Sequence, residues 1–201
     1  VDIASVEGLD RLSIGRLATE LGLSKSGVFA LFGSKEELQL AAIKTAHEIF
    51  VEQVVTPALA AEPGVDRLWR LCEGWLAYSE HRIFPGGCFF FNTGAEFDAR
   101  AGRVHDAIAE AGAGFAGLIA RLVGEAQQLG HLDPGIEVAQ LSFEIHALGR
   151  AANADSLLHG GNEPYRRARE CMLNRLRAAA VSSPPATWLA TANQPGPSGR
   201  S

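Results

Sequence analysis

Apolar residues recur three and four positions apart along nearly the whole chain, the spacing of one helical face rather than the alternation of a half-buried strand. Leu68, Leu71, Cys72, Trp75 and Leu76 make one such stripe. Val104, Ile108, Phe115, Leu118, Ile119 and Leu122 make another, and the glycines between 112 and 117 predict a bend within it. Turn signals separate the helical windows at Gly22, Gly33, residues 57–64, Pro85-Gly86-Gly87, Asp133-Pro134-Gly135 and Gly160-Gly161. No run of alternating β-branched residues between hairpin turns is present. The predicted class is all-α.

Near the N-terminus, capping chemistry places three short helices. Ser13 is a suitable N-cap for a helix over 13–21, with Ile14, Leu17, Ala18 and Leu21 on one face and Gly22 as the stop. Ser24 caps a second helix that ends near Phe32, where Gly33 closes it. Ser34 and Glu37 have the spacing of a capping box for a third, continued inward by Leu38, Ala42 and Ile43. Two short helices joined by a tight glycine turn form a helix-turn-helix unit, whose second helix enters the DNA major groove. Val28 and Phe32 are expected to pack on the preceding helix, leaving Lys25, Ser26, Gly27 and Phe29 facing outward. Small residues at 26 and 27 let the helix N-terminus approach phosphate.

The stretch 13–38, SIGRLATELGLSKSGVFALFGSKEEL, closely resembles the DNA-binding motif of the TetR/AcrR family of transcriptional regulators. The likeness includes the turn glycine, the Ser-Lys opening of the recognition helix and the Phe-Gly-Ser-Lys-Glu-Glu-Leu opening of the linking helix. It implies that Ser13 and Arg16 touch phosphate or adjacent bases. It also implies that Ser24, Lys25, Ser26, Gly27 and Phe29 belong to the recognition surface and that Lys35 anchors backbone phosphate. Two positions depart from the family pattern, Phe29 where Tyr is frequent and Leu31 where His is frequent. Losing the hydroxyl removes one phosphate hydrogen bond, and Leu31 can touch a thymine methyl but donates nothing. The family has a full helix ahead of the motif; residues 1–6 would supply its last turns, so a truncated first helix is expected.

The resemblance further implies a larger helical domain that binds a small-molecule effector and dimerises through its last two helices. Residues 136–158 are apolar around much of the helical circumference, as a helix buried on more than one side requires. Pro164 suits the first turn of a final helix, over 164–180, whose stripe of Tyr165, Ala168, Met172, Leu176 and Ala179 opposes four arginines. These two segments are the expected homodimer surface. The pocket candidates are Trp69, Trp75, Phe90, Asn92 and Phe115. Three consecutive phenylalanines, 89–91, cannot all face one core, and the Gly86-Gly87 entry with Asn92, Thr93 and Glu96 nearby suits an apolar pocket with few polar groups. Ordinary core packing explains the same residues, and both readings stay open here.

Composition changes the picture in three places. A net charge of −5 does not suggest a nucleic-acid binder, and residues 1–56 hold five Lys/Arg against eight Asp/Glu. A reader needs only a local basic footprint. Residues 182–201 carry four of the nine prolines and little apolar content, which predicts a flexible tail; Trp188 and Leu189 are its only candidates for docking. Cys72, Cys88 and Cys171 lack the spacing of a zinc site or a disulfide scaffold, which fits a reducing cytoplasm. No apolar run approaches a membrane span and no leader pattern opens the sequence.

No nucleophile elbow, phosphate loop, dinucleotide fingerprint or close metal-ligand spacing is present, so no catalytic set, metal or cofactor is expected. His105 and His146 read as hydrogen-bonded core residues. Cys88, beside glycines at a helix start, is a candidate low-pKa thiol. The organisation expected is a reader over 1–45, an effector and dimer domain over 46–181, and the tail. The function expected is a homodimeric regulator, a repressor, that binds a palindromic double-stranded operator and is released by a small, largely apolar ligand. The alternative is a helical ligand-binding or interaction protein with a vestigial reader.

Overall fold

The computed structural model describes residues 1–181, and among them no strand forms; one isolated antiparallel bridge pairs Leu132 with Ala180. The residues of the predicted tail, Trp188 and Leu189 included, lie outside the described part. The helices are α1 (Asp2–Glu7), α2 (Ile14–Leu21), α3 (Lys25–Phe32), α4 (Lys35–Phe50), α5 (Thr56–Leu59), α6 (Val65–Glu80), α7 (Phe89–Phe97), α8 (Arg103–Gln128), α9 (Val138–His159) and α10 (Glu163–Ala179).

The three capping serines set the N-terminal boundaries. The hydroxyls of Ser13, Ser24 and Ser34 accept hydrogen bonds from the backbone N–H of Arg16, Gly27 and Glu37. Gly22 and Gly33 sit at φ 64° and 72°, the left-handed region that ends a helix cheaply only for glycine. The Ser34 cap is half of the expected box, because the Glu37 carboxylate turns away to Arg103.

Between α4 and α5 the chain does not break. Five residues, Val51–Val55, continue as a π-helical turn directly into Thr56. Such a turn holds one residue more than an α-helical register and tends to occur at functional sites. The spacing of apolar residues gave no sign of it.

Around α8 the larger part of the chain is assembled. Its buried positions, among them Val104, Ile108, Leu118, Leu122 and Val123, pack against α4, α6, α7 and α9, while α10 closes over α9 and α6. The helix continues through Gly112, Gly114 and Gly117 without interruption. Contrary to the sequence expectation, α8 is by length and composition apolar enough to cross a membrane, with a mean hydropathy of 1.4 over its best window. The expectation counted unbroken bulky runs, whereas here alanine and glycine fill the gaps between large side chains. In the fold α8 is a central packing element.

The buried apolar set is continuous from Ala4, Leu9 and Leu12 in the N-terminal helices to Met172, Leu173 and Leu176 in α10. The short N-terminal helices are therefore seated on the larger bundle, through α1 against α7 and α3 against α4.

Candidate functional site

The recognition helix α3 packs one face inward, with Val28 only 1% exposed and Phe32 partly buried. Lys25, Ser26 and Gly27 are exposed at its capped N-terminus, and Phe29 and Leu31 stand 56% and 75% exposed beside them. Two positions apart on the helix, these two apolar side chains project to different sides of α3. Ser24 and Ser26 hydroxyls lie 3.2 Å apart, and Gly15 leaves room for the Lys25 stem over the start of α2.

The predicted phosphate contacts differ in how they are held. Arg16 is gripped by the Glu7 carboxylate at 2.6 Å and by Glu20 at 2.7 Å. The hydrogen bonds and charge of Arg16 hold the Glu7 carboxyl below the usual carboxylate range. Lys35 pairs with Asp10 at 3.0 Å, and Asp10 also meets Arg100 at 3.2 Å. Ser13 is half-buried, its hydroxyl spent on the cap. Among the described residues Lys25 has no carboxylate partner. Arg16 and Lys35 must exchange a carboxylate for any phosphate they bind.

A cavity of about 480 Å³ lies between α4, its π-helical continuation, α6, α7, α8 and α9. Its aromatic wall is built from Phe50, Trp75, Phe90, Phe91 and Phe115, most of whose neighbouring rings meet edge to face, such as Trp75 on Phe115 at 4.9 Å and Phe50 on Phe115 at 5.1 Å. Val51 and Val55 of the π-helical turn also face it. Of the sequence candidates, Trp75, Phe90 and Phe115 line this space. Trp69 does not; it is 4% exposed in the core. Asn92 does not either, since its side-chain amide donates to the Gly86 carbonyl and its oxygen faces Asn153.

His105 and His146, expected in the core, both border the cavity. His146 stacks on Trp75 at 17° and 5.8 Å, and burial, together with the Arg150 charge, lowers its pKa and favours the neutral ring. His105 instead pairs with Asp106 at 2.9 Å. Phe91, from the phenylalanine run, lines it too; Phe50, Arg121 and Arg150 also do and were not singled out from sequence, because they come from distant segments and no local pattern joins them. Cys88 reaches the cavity wall but is 2% exposed, and burial pushes its thiol up rather than down. The activating environment expected from its place at a helix start is overridden by desolvation.

α7 connects this cavity to the reader. Phe90 and Phe91 face the cavity from its first turn. Glu96, near its other end, accepts the backbone N–H of Leu9 and of Asp10, each at 2.8 Å. At the entry to α7 the Gly86 N–H donates to Ser5 Oγ, and a Cβ on Gly86 would lie 1.8 Å from the Ser5 carbonyl oxygen. The Cys88 N–H donates to Asn153 on α9 at 2.9 Å. The double glycine is thus a point where α1, α7 and α9 converge. The sequence pattern placed Glu96 near the cavity; its carboxylate serves the loop between α1 and α2 instead.

The outer face of α9 carries an apolar stripe, interrupted by the exposed Gln140 and Arg150. Phe143 is 68% and Leu158 77% exposed, and Ala147, Ala151 and Ala154 fill the positions between them at spacings of three and four. Beside it, α10 exposes Cys171 and Asn174, while Arg169 and Arg175 fold inward to Glu73, Glu80 and Glu144.

Comparison with known proteins places both halves. Residues 2–42 match the family described as bacterial regulatory proteins, tetR family, and residues 64–172 match the tetracyclin repressor-like C-terminal domain. Among curated proteins none matches. A TetR transcriptional regulator from Chloroflexus aurantiacus shares the fold at a TM-score of 0.82 and 22% identity, over 89% of this chain and 90% of that one. A transcriptional regulator from Saccharomonospora viridis in complex with choline aligns at 0.74 and 18%, over 88% and 90% of the two chains. AibR in complex with isovaleryl coenzyme A and operator DNA aligns at 0.67 and 14%, over 89% and 92%.

Proposed function

Because the chain belongs to the TetR family of bacterial regulatory proteins, whose members are DNA-binding transcription regulators and typically not enzymes, we propose that it is a homodimeric repressor of the cytoplasm. Residues 1–45 read a twofold operator, and residues 46–181 dimerise and hold a small, largely apolar effector. The observation that carries this reading is the exposure of α3, capped at Ser24, with Lys25, Ser26, Gly27 and Phe29 outward. Two such helices must be presented together to meet half-sites one helical turn apart. The Phe143 to Leu158 stripe on α9, beside α10, supports the partner surface. A size in the lower part of the small-molecule range and an aromatic wall support the effector site.

In this reading an effector that pushes on Phe90 and Phe91 moves α7, and Glu96 carries the shift to the loop ahead of α2. The release of DNA is then a coupling free energy between cavity and reader.

The test is selection of duplexes from random DNA, followed by binding measured over a range of salt. Specific, strongly salt-dependent binding is expected. Lys25→Ala should weaken every duplex alike and reduce the salt slope by about one. Absence of duplex affinity at low salt, in a protein that is dimeric and folded, would refute the reading.

A further inference from the structure

We infer that the effector is an apolar monocarboxylate whose acid group is received by Arg121 and Arg150 and whose body occupies the aromatic end of the cavity. This rests on the reading of that cavity as the effector site. The charges of the lining carry the argument. Arg121 and Arg150 both border the cavity, and among the described residues neither has a carboxylate partner. Most other arginines of this chain do: Arg16, Arg67, Arg100, Arg103, Arg166, Arg167, Arg169 and Arg175 are each ion-paired. Among the described residues Asp98, at the end of α7, is the one acidic residue on the cavity lining, and it is exposed, as Arg121 and Arg150 are, so all three charges stand where the cavity opens to solvent.

Each of the two exposed guanidinium groups has one neighbour on the cavity side. Arg150 lies over the Phe91 ring with its Cζ 5.5 Å from the centroid. Arg121 runs back along α8, one guanidinium nitrogen 3.9 Å from where a Cβ would sit at Gly117. A planar guanidinium is suited to a carboxylate, which it can grip through two parallel hydrogen bonds. Elsewhere on the lining, Phe50, Phe115 and Leu118 offer apolar surface, and the ring nitrogens of His146 supply a neutral hydrogen-bonding edge. An aromatic box alone also suits a quaternary ammonium through cation–π attraction. Here Arg150 already occupies one ring face, and the two guanidinium charges oppose a second cation.

The experiment uses the whole protein and two matched probe sets, phenylbutanoate with phenylbutanol and phenylbutyltrimethylammonium, and octanoate with octanol and octyltrimethylammonium. Each is titrated calorimetrically and then tested for release of a selected duplex. The acid of each set should bind at least about tenfold tighter than its alcohol, with the ammonium weakest. In Arg150→Gln and Arg121→Gln the gap between acid and alcohol should shrink, and it should vanish in the double variant. Alcohols or ammonium compounds that bind as tightly as the acids and still release DNA overturn the carboxylate inference while leaving the effector site intact. If no probe binds, or bound probe never affects duplex retention, the reading of the cavity as effector site falls, and this inference with it.

Discussion

Glu96→Ala tests the mechanical link between cavity and reader. The Glu96 carboxylate accepts two backbone N–H groups, those of Leu9 and Asp10, both at 2.8 Å. Leu9 is fully buried, so water cannot readily replace the lost acceptor there. A hydrogen bond to a charged group is worth about 1.5–3 kcal/mol, and partial exposure of Glu96 puts this pair near the low end, about 3 kcal/mol together. At about 2–4 °C per kcal/mol for a chain of this size, the melting temperature should fall by about 6–12 °C. Glu96→Gln keeps one acceptor oxygen and should fall by about half as much. The discriminating assay is amide hydrogen exchange, with protection lost first at Leu9 and Asp10. The same variant should blunt the effect of a bound effector on DNA affinity, since α7 would move without pulling the loop. Exchange at Leu9 and Asp10 equal to that of the parent, with an unchanged melting temperature, would refute the reasoning.

Three further outcomes follow from the packing and the thiols. Gly149→Ala places a methyl 2.2 Å from the buried Trp75 ring, so the ring must shift into the cavity, at a cost of about 1–3 kcal/mol read in a denaturant midpoint. Phe143→Glu together with Leu158→Glu should leave a monomer in sedimentation velocity where the parent sediments as the proposed dimer, and abolish DNA binding while retaining the helical circular dichroism signal; a dimer in the variant would place the partner surface elsewhere. Native alkylation at neutral pH of the Phe143→Glu, Leu158→Glu variant, in which α10 is uncovered, should modify Cys171 alone, because burial pushes Cys72 up to about 12 and Cys88 upward as well; modification of Cys88 at a similar rate would contradict its burial.

The reader was legible because its boundaries are local chemistry. Serine hydroxyls at 13, 24 and 34 and glycines at 22 and 33 act within three or four residues of where they stand. The pocket candidates rest on large aromatic side chains and on the Gly86-Gly87 entry, and size does not tell Trp75, Phe90 and Phe115, which border the cavity, from Trp69, which is in the core. What the pattern did not disclose is tertiary. Asn92 and Glu96 were grouped with the pocket by proximity in sequence, but each is consumed by a backbone group from elsewhere, Gly86 for one and Leu9 with Asp10 for the other. Arg16 looked like a free phosphate ligand because Glu7 lies a helix away, and only the fold brings the two together. Nothing in the local sequence relates Arg121 to Arg150; only the packing of α8 and α9 sets them on one cavity.

The π-helical turn at Val51–Val55 has a consequence for how this sequence can change. Each residue of an α-helix turns the chain by about 100°, so removing one residue there would restore an even helix and swing everything N-terminal to it by that angle. The groove-facing side of the reader would then point away from any twofold mate. Substitutions along this stretch should be tolerated wherever volume is kept, whereas a one-residue deletion should pull α4 out of register with α8 and α1 away from α7, and so cost stability together with DNA recognition.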